Sequence, residues 1–240
     1  MAVTPDVPEP VEVERPEVER PEVEPDPWAL QLVVRVERAS PPSATAALEA
    51  AAMAVVALLA DERTADLDGP WREPVRRWSS GRIRKIAKRA RGARWDAVGA
   101  LDGVTVAHRG AEARALVPGP IATAPPALAK LQVSGLELDD PDRVEVPPPG
   151  WSGPVLALNP SVEMSTGKLA AQVGHGAHLL WAASDADQRR RWLDDDLALV
   201  VVHPDEARWN QLVPSATVAV RDGGFTEVAP GTMTVVALRA

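Results

Sequence analysis

The chain has 240 residues, a formal net charge of −8, 45% hydrophobic residues and no cysteine. The absence of cysteine excludes a disulfide framework, a thiolate metal site and a cysteine nucleophile. No apolar run reaches the roughly 18 residues of a membrane-spanning helix, and MAVTPDVPEP lacks the basic and apolar regions of a secretory signal, so a soluble cytoplasmic protein with no membrane partner is expected.

The acidity is local. Residues 1–27 carry nine acids and two bases, net −7, which leaves the body near −1. Their repeating V-E-R-P-E unit puts proline where a helix would continue and glutamate where it repels itself. The segment is expected to be a disordered acidic Pro/Glu tail, either a solubilising leader or an arm that competes with nucleic acid for a basic surface.

After the tail, WALQLVVRVERA (28–39) reads as a strand and the Ala-rich SATAALEAAAMAVVALLA (43–60) as a buried helix. VRRWSSGRIRKIAKRARGARW (75–95) is strongly basic with interleaved Trp. It is either a solvated helix face or a nucleic-acid backbone contact, with Arg82, Arg84, Lys85 and Lys88 at its centre. A strand is expected at VTVAH (104–108), a helix-like turn at EARAL (112–116), a Pro-rich turn around Pro118–Pro126, and a strand at LQVSGLEL (131–138). DDPDRVEVPPPGWSGP has no periodicity and marks a linker, set at 141–153.

The second half predicts the order β-α-α-β-α-β-β: strand 154–159, a helix capped by Ser165 or Thr166 running to about Ala183, a helix at 185–193, strand 197–203, helix 204–212, and strands 217–220 and 232–238 flanking the loop RDGGFTEVAPG. VTVAHRGAEARALVP (104–118) resembles VVVHPDEARWNQLVP (200–214), which suggests an internal duplication with copies at 28–140 and 154–240. The first copy has SPPSATAAL where the second has VEMSTGKLAA, and APPALAK where the second has the polar loop, so chemistry is expected in the second copy.

On the helix of that copy, Lys168, Gln172 and His175 fall at i, i+4 and i+7 and share one face, beside the small Ala171, Gly174 and Gly176. The STGK run is not a phosphate loop, because Val162 stands where that motif needs glycine and Leu169 where it needs Ser or Thr. A Gly167–Lys168 pair at a helix start still offers an ammonium beside free N–H groups, a natural anion site. His175 and His178 at i, i+3 lack a third ligand of suitable spacing, so no metal is expected. In the loop, Asp222 stands beside Thr226 and Thr232 among glycines. It either caps a turn or belongs to a site.

MSTGKLAAQVGH and RDGGFTEVAPGTMTVVAL together resemble the type-two peptidyl-tRNA hydrolase family, whose members carry a GK-[IVL]-AAQ-x-x-H helix start and an R-D-A-G-x-T-x-[IV]-x-P-G-[ST]-x-T loop. The resemblance covers roughly 153–240. The sequence departs from the pattern at Val173-Gly174, Gly223, Phe225 and Glu227. The resemblance implies an α/β fold, a three-layer sandwich around a four-stranded mixed sheet, here in tandem copies. It also implies a cofactor-free, metal-free hydrolase that cleaves the ester between a peptide and the terminal ribose of tRNA. Lys168, His175, Asp222, Thr226 and Thr232 fall on the family's functional positions. Gln172, Gly167, Gly231 and Arg221 complete the substrate-binding set with the basic stretch. Family members commonly dimerise, so the two copies are expected to form an intramolecular pseudo-dimer, and a further homo-oligomer is compatible with this. The proton-accepting group is Asp222 or His175. The alternative function is a catalytically weak or inactive tRNA-binding protein.

Overall fold

The Val- and Leu-rich run after the tail forms β1 (Trp28–Arg35), buried along its centre. The computed structural model describes residues 27–224 and 227–239, so the tail reading lies outside the described residues except at Pro27, as does Thr226. The first half continues with α1 (Ala44–Ala60), α2 (Glu62–Ala65), α3 (Arg72–Ser79), β2 (Lys85–Ala90), α4 (Ala93–Gly99), β3 (Gly103–His108), β4 (Ala111–Leu116), β5 (Gly119–Pro120) and α5 (Pro126–Ala129). The second comprises β6 (Val155–Leu158), α6 (Thr166–Ala182), α7 (Ala186–Asp194), β7 (Val200–Val202), α8 (Glu206–Leu212), a 3₁₀ turn at Val213–Ser215, β8 (Val218–Arg221) and β9 (Met233–Leu238).

Both halves build a mixed sheet with the same strand order. The first is β2-β1-β4-β3, with β5 pairing the start of β1; the second is β7-β6-β9-β8. In each, the first strand pairs its crossover partner in parallel and the later strands antiparallel. The helices α1 and α6 pack on each other and lie between the two sheets. The apolar cluster around them is continuous, running from Leu30 and Leu32 through Val55 and Val173 to Leu156 and Val235. Smaller clusters close the outer faces, with Trp95, Val98 and Leu128 beyond the first sheet and Trp209 beyond the second.

This placement explains α1, which is apolar almost all round because neighbours cover every side. Its one buried acid, Glu49, is fully partnered: Oε1 accepts from Val201 N at 3.1 Å, and Oε2 accepts from Arg109 Nη1 at 3.1 Å and faces His108 Nε2 at 3.0 Å. The carboxylate thus ties α1 both to the β3–β4 turn of its own half and to β7 of the other.

Three sequence expectations fail. EARAL is strand β4 rather than a helical turn, because Arg109 and Gly110, with φ of 47° and 80°, make a two-residue hairpin that folds 111–116 back on β3. LQVSGLEL is not a strand. It runs irregularly across the start of α6, with Gly135 at φ 72° and Leu136 buried beneath. The pairing of 104–118 with 200–214 is out of step, since the first is a hairpin and the second is strand then helix. By topology β2 matches β7, and β3–β4 matches β8–β9. The counterpart of the polar loop is therefore the Arg109–Gly110 turn, not APPALAK.

Candidate functional site

Helix α6 begins at Ser165, whose Oγ accepts from Lys168 N at 3.1 Å. Two glycines weaken it locally, and packing restores it: a Cβ at Gly176 would lie 3.2 Å from both Leu156 and Val235. Lys168, Gln172 and His175 then line the same side of one cleft.

Across from them, β8 ends in a register shift between Val220 and Arg221. Such a bulge re-aims the next side chain. Asp222 N donates to Thr232 O at 2.9 Å and Gly231 N donates to Asp222 O at 2.7 Å, so the two ends of the loop clamp this residue. Its carboxylate is 8% exposed by residue and takes three donors: Lys168 Nζ at 2.5 Å and Gln172 Nε2 at 2.7 Å on Oδ2, and Gly224 N at 2.8 Å on Oδ1. Gly224 cannot readily be replaced, because its φ is 74° and a Cβ would meet Pro230 at 2.3 Å.

Thr234 completes the row. It is fully buried, and its Oγ1 donates to Gln172 Oε1 at 2.5 Å. That bond fixes the orientation of the amide and points Nε2 at Asp222. Sequence reading did not single out Thr234, although a threonine inside the apolar run of β9 must find a partner once buried. Glu227 is structural. Its Oε2 and Oε1 accept from Ser165 N at 2.8 Å and Ser165 Oγ at 2.7 Å, which pins the loop to the helix start.

The cleft has a volume of about 740 Å³, and Gly167, Arg221, Arg82, Arg84 and Lys85 also line it. Several expected contributions change character. Gly167 N donates to Leu136 O, so this N–H is not open to an anion. Thr232 Oγ1 donates to Ala229 O at 2.7 Å and, with Gly231, shapes the base of the loop. Lys88 does not belong to a basic surface, because it is buried and its Nζ donates to Leu128 O at 2.7 Å. Lys85 is also buried, its Nζ 3.3 Å from Nδ1 of both His175 and His178. Residues 85–90 form a sheet strand covered on both faces, so Lys85 points into the layer of α6 and Lys88 into the opposite one beneath α5.

Burial, with the nearby Lys85 adding to it, pushes His178 down to about 3. Burial first, then Lys85, His178 and Lys168, holds His175 well below its usual value. Both rings are therefore neutral near pH 7. Burial alone pulls Lys85 well below the ordinary lysine range. Among the described residues, no group of three or more His, Asp or Glu is arranged to hold a metal.

Counting from the caps Ser43 and Ser165, α1 carries Ala46, Ala50 and Met53 where α6 carries Lys168, Gln172 and His175. The polar row thus assembles only in the second half.

Residues 154–240 match the family model of peptidyl-tRNA hydrolase PTH2. Among curated proteins, the chain is 36% identical to a peptidyl-tRNA hydrolase of Pyrobaculum aerophilum, over 34% of this chain and 78% of that protein. It is 33% identical to a peptidyl-tRNA hydrolase of Halobacterium salinarum, over 35% of this chain and 81% of that protein.

Proposed function

The chain belongs to the PTH2 family of peptidyl-tRNA hydrolases, and from that premise we propose that its C-terminal half hydrolyses the ester of peptidyl-tRNA, releasing free tRNA and peptide. The observation that carries this reading is the hydrogen-bonded Lys168–Asp222–Gln172–Thr234 row, buried except at the half-buried Lys168, which opens on a cleft of about 740 Å³. Ester hydrolysis needs a positioned water, a group to take its proton and a positive group for the developing oxyanion. Asp222 Oδ1 holds one backbone N–H and keeps a lone pair for water. Lys168 brings the positive charge within reach of the same carboxylate. Arg82, Arg84 and Arg221 at the cleft suit the phosphates of the tRNA end. Thr226, which falls on a functional position of the family, is assigned in this reading to hydrogen-bond the ester or ribose.

The N-terminal half is, in this reading, a degenerate copy that acts as an intramolecular partner through α1 against α6. The identical strand orders support that relationship. No helix of the described residues is long and apolar enough to cross a membrane, and a cytoplasmic location follows from the substrate.

The test is release of labelled peptide from peptidyl-tRNA by wild type, Lys168→Ala and Asp222→Ala. Turnover by wild type and a loss of roughly 10²-fold or more in each variant is expected. Tight tRNA binding without turnover by wild type would favour the alternative, an inactive tRNA-binding protein.

A further inference from the structure

The first half lines part of the second-half cleft, and its Lys85 reaches the histidines of α6. Lys85 lies on β2, the edge strand of the first sheet, and its stem runs along α6 at Gly174, where a Cβ would sit 3.2 Å from Lys85 Cδ. The glycine leaves the groove that the lysine fills. Its Nζ then faces three acceptors: Ile83 O at 3.5 Å and Nδ1 of His175 and of His178, each at 3.3 Å. Nζ also lies 4.6 Å from the ring centre of Trp78, which itself stacks on His178 at 4.9 Å and is anchored through Nε1 to Arg84 O. As an ammonium Nζ has three donors for these three acceptors and the aromatic face, and even as a neutral amine it keeps two, one for each Nδ1.

We infer that Lys85 is a positioning residue of the cleft, contributed by the other half of the chain. By donating to Nδ1 of His175 and His178 it fixes His175 in the tautomer protonated on Nε2. His175 then serves the substrate as a hydrogen-bond donor, and the proton-accepting role falls to Asp222. A neutral imidazole has one donor and one acceptor nitrogen, and the bond made by one decides the other. The other titratable or charged groups around His175 are Lys168 and His178 on α6 and, lining the same cleft, Arg221 on β8, Asp222 and Glu227 in the loop after it, and Arg82 and Arg84 before β2. The substrate role rests on the hydrolase reading, whereas the tautomer does not.

Long-range ¹H–¹⁵N correlations of the imidazoles in the full chain test this. In wild type both rings should be Nε2–H and neutral at pH 6. In Lys85→Met, which keeps the stem, the rings should show mixed tautomers and titrate at higher pH, because a cation is gone. In peptidyl-tRNA hydrolysis, Lys85→Met should lower kcat about tenfold with KM within about twofold, and Lys85→Gln, which retains a donor, should recover part of kcat. An Nδ1–H tautomer in wild type overturns the inference, as does equal loss in Met and Gln variants, or loss confined to KM. Absence of wild-type turnover would remove the hydrolase reading, while the tautomer would still decide the positioning role.

Discussion

Lys85 and His175 stand 3.3 Å apart although 90 positions separate them and each belongs to a different half. The pair lies beside a continuous apolar core that both sheets share. Neither half can therefore lose its structure without uncovering the central helix of the other. Heating should unfold the chain in a single calorimetric transition, with calorimetric and van't Hoff enthalpies equal. Gly174→Val should lower that one transition, because its Cβ sits 3.2–3.3 Å from Lys85, Leu32 and Val55. Overpacking of this kind costs about 1–3 kcal/mol. Two resolved transitions, with only one of them shifted, would refute a shared core.

Thr234 acts on Asp222 through Gln172. Thr234→Val keeps the shape of the side chain but removes the hydroxyl that holds Gln172 Oε1. The buried amide oxygen then loses this donor, at about 1–3 kcal/mol of stability. Turnover should drop roughly tenfold with KM nearly unchanged, because the amide no longer holds one orientation toward Asp222. Thr234→Ser should restore most of both. Wild-type kinetics in the valine variant would show that the row carries no catalytic positioning.

Much of this site was legible in the sequence. Helical spacing put Lys168, Gln172 and His175 on one face, and the glycine-rich loop marked Asp222. What escaped was set by partners distant in sequence. Residues 85–90 read as a basic surface because charge was weighed without the partners that cover the strand, yet α6 covers the Lys85 face and α5 the Lys88 face. Residues 112–116 read as helical from their local sequence, yet two positive-φ residues at 109–110 decide the hairpin. Thr234 and Glu227 gain meaning only once β9 and the loop lie against α6.

The half-buried His175 and the buried His178 set a pH limit. Their folded values lie below the unfolded value of 6.5, His178 at about 3. Between those limits the unfolded chain binds protons that the folded chain refuses, so stability rises with pH there. The contribution is fully present above pH 6.5 and is lost as pH falls below it, for His178 down to about 3, at up to about 1.4 kcal/mol per pH unit for a single ring. Urea unfolding from pH 7 to 4 should show this slope. His178→Phe, which keeps an aromatic face against Trp78, should flatten it. An unchanged slope in that variant would show that His178 does not contribute to the acid sensitivity.

The basic stretch divides into residues that can meet RNA and residues that cannot. Arg82 is exposed and lines the cleft with Arg84, whereas Lys88 is buried with its Nζ on Leu128 O. Replacing Arg82 and Arg84 with glutamine should weaken tRNA binding, and the log–log salt slope should shrink by about 0.7–0.9 for each phosphate no longer neutralised. Lys88→Met should leave both affinity and slope unchanged. A second groove of about 750 Å³, lined by Arg38, Arg89, Arg91 and Arg94, lies on the first half. If the slope responds to Arg91→Gln and Arg94→Gln instead, the phosphate track runs through that groove and not through the rim of the cleft. A slope that responds to Lys88 and to none of the arginines would contradict the burial of Lys88 and the division drawn from it.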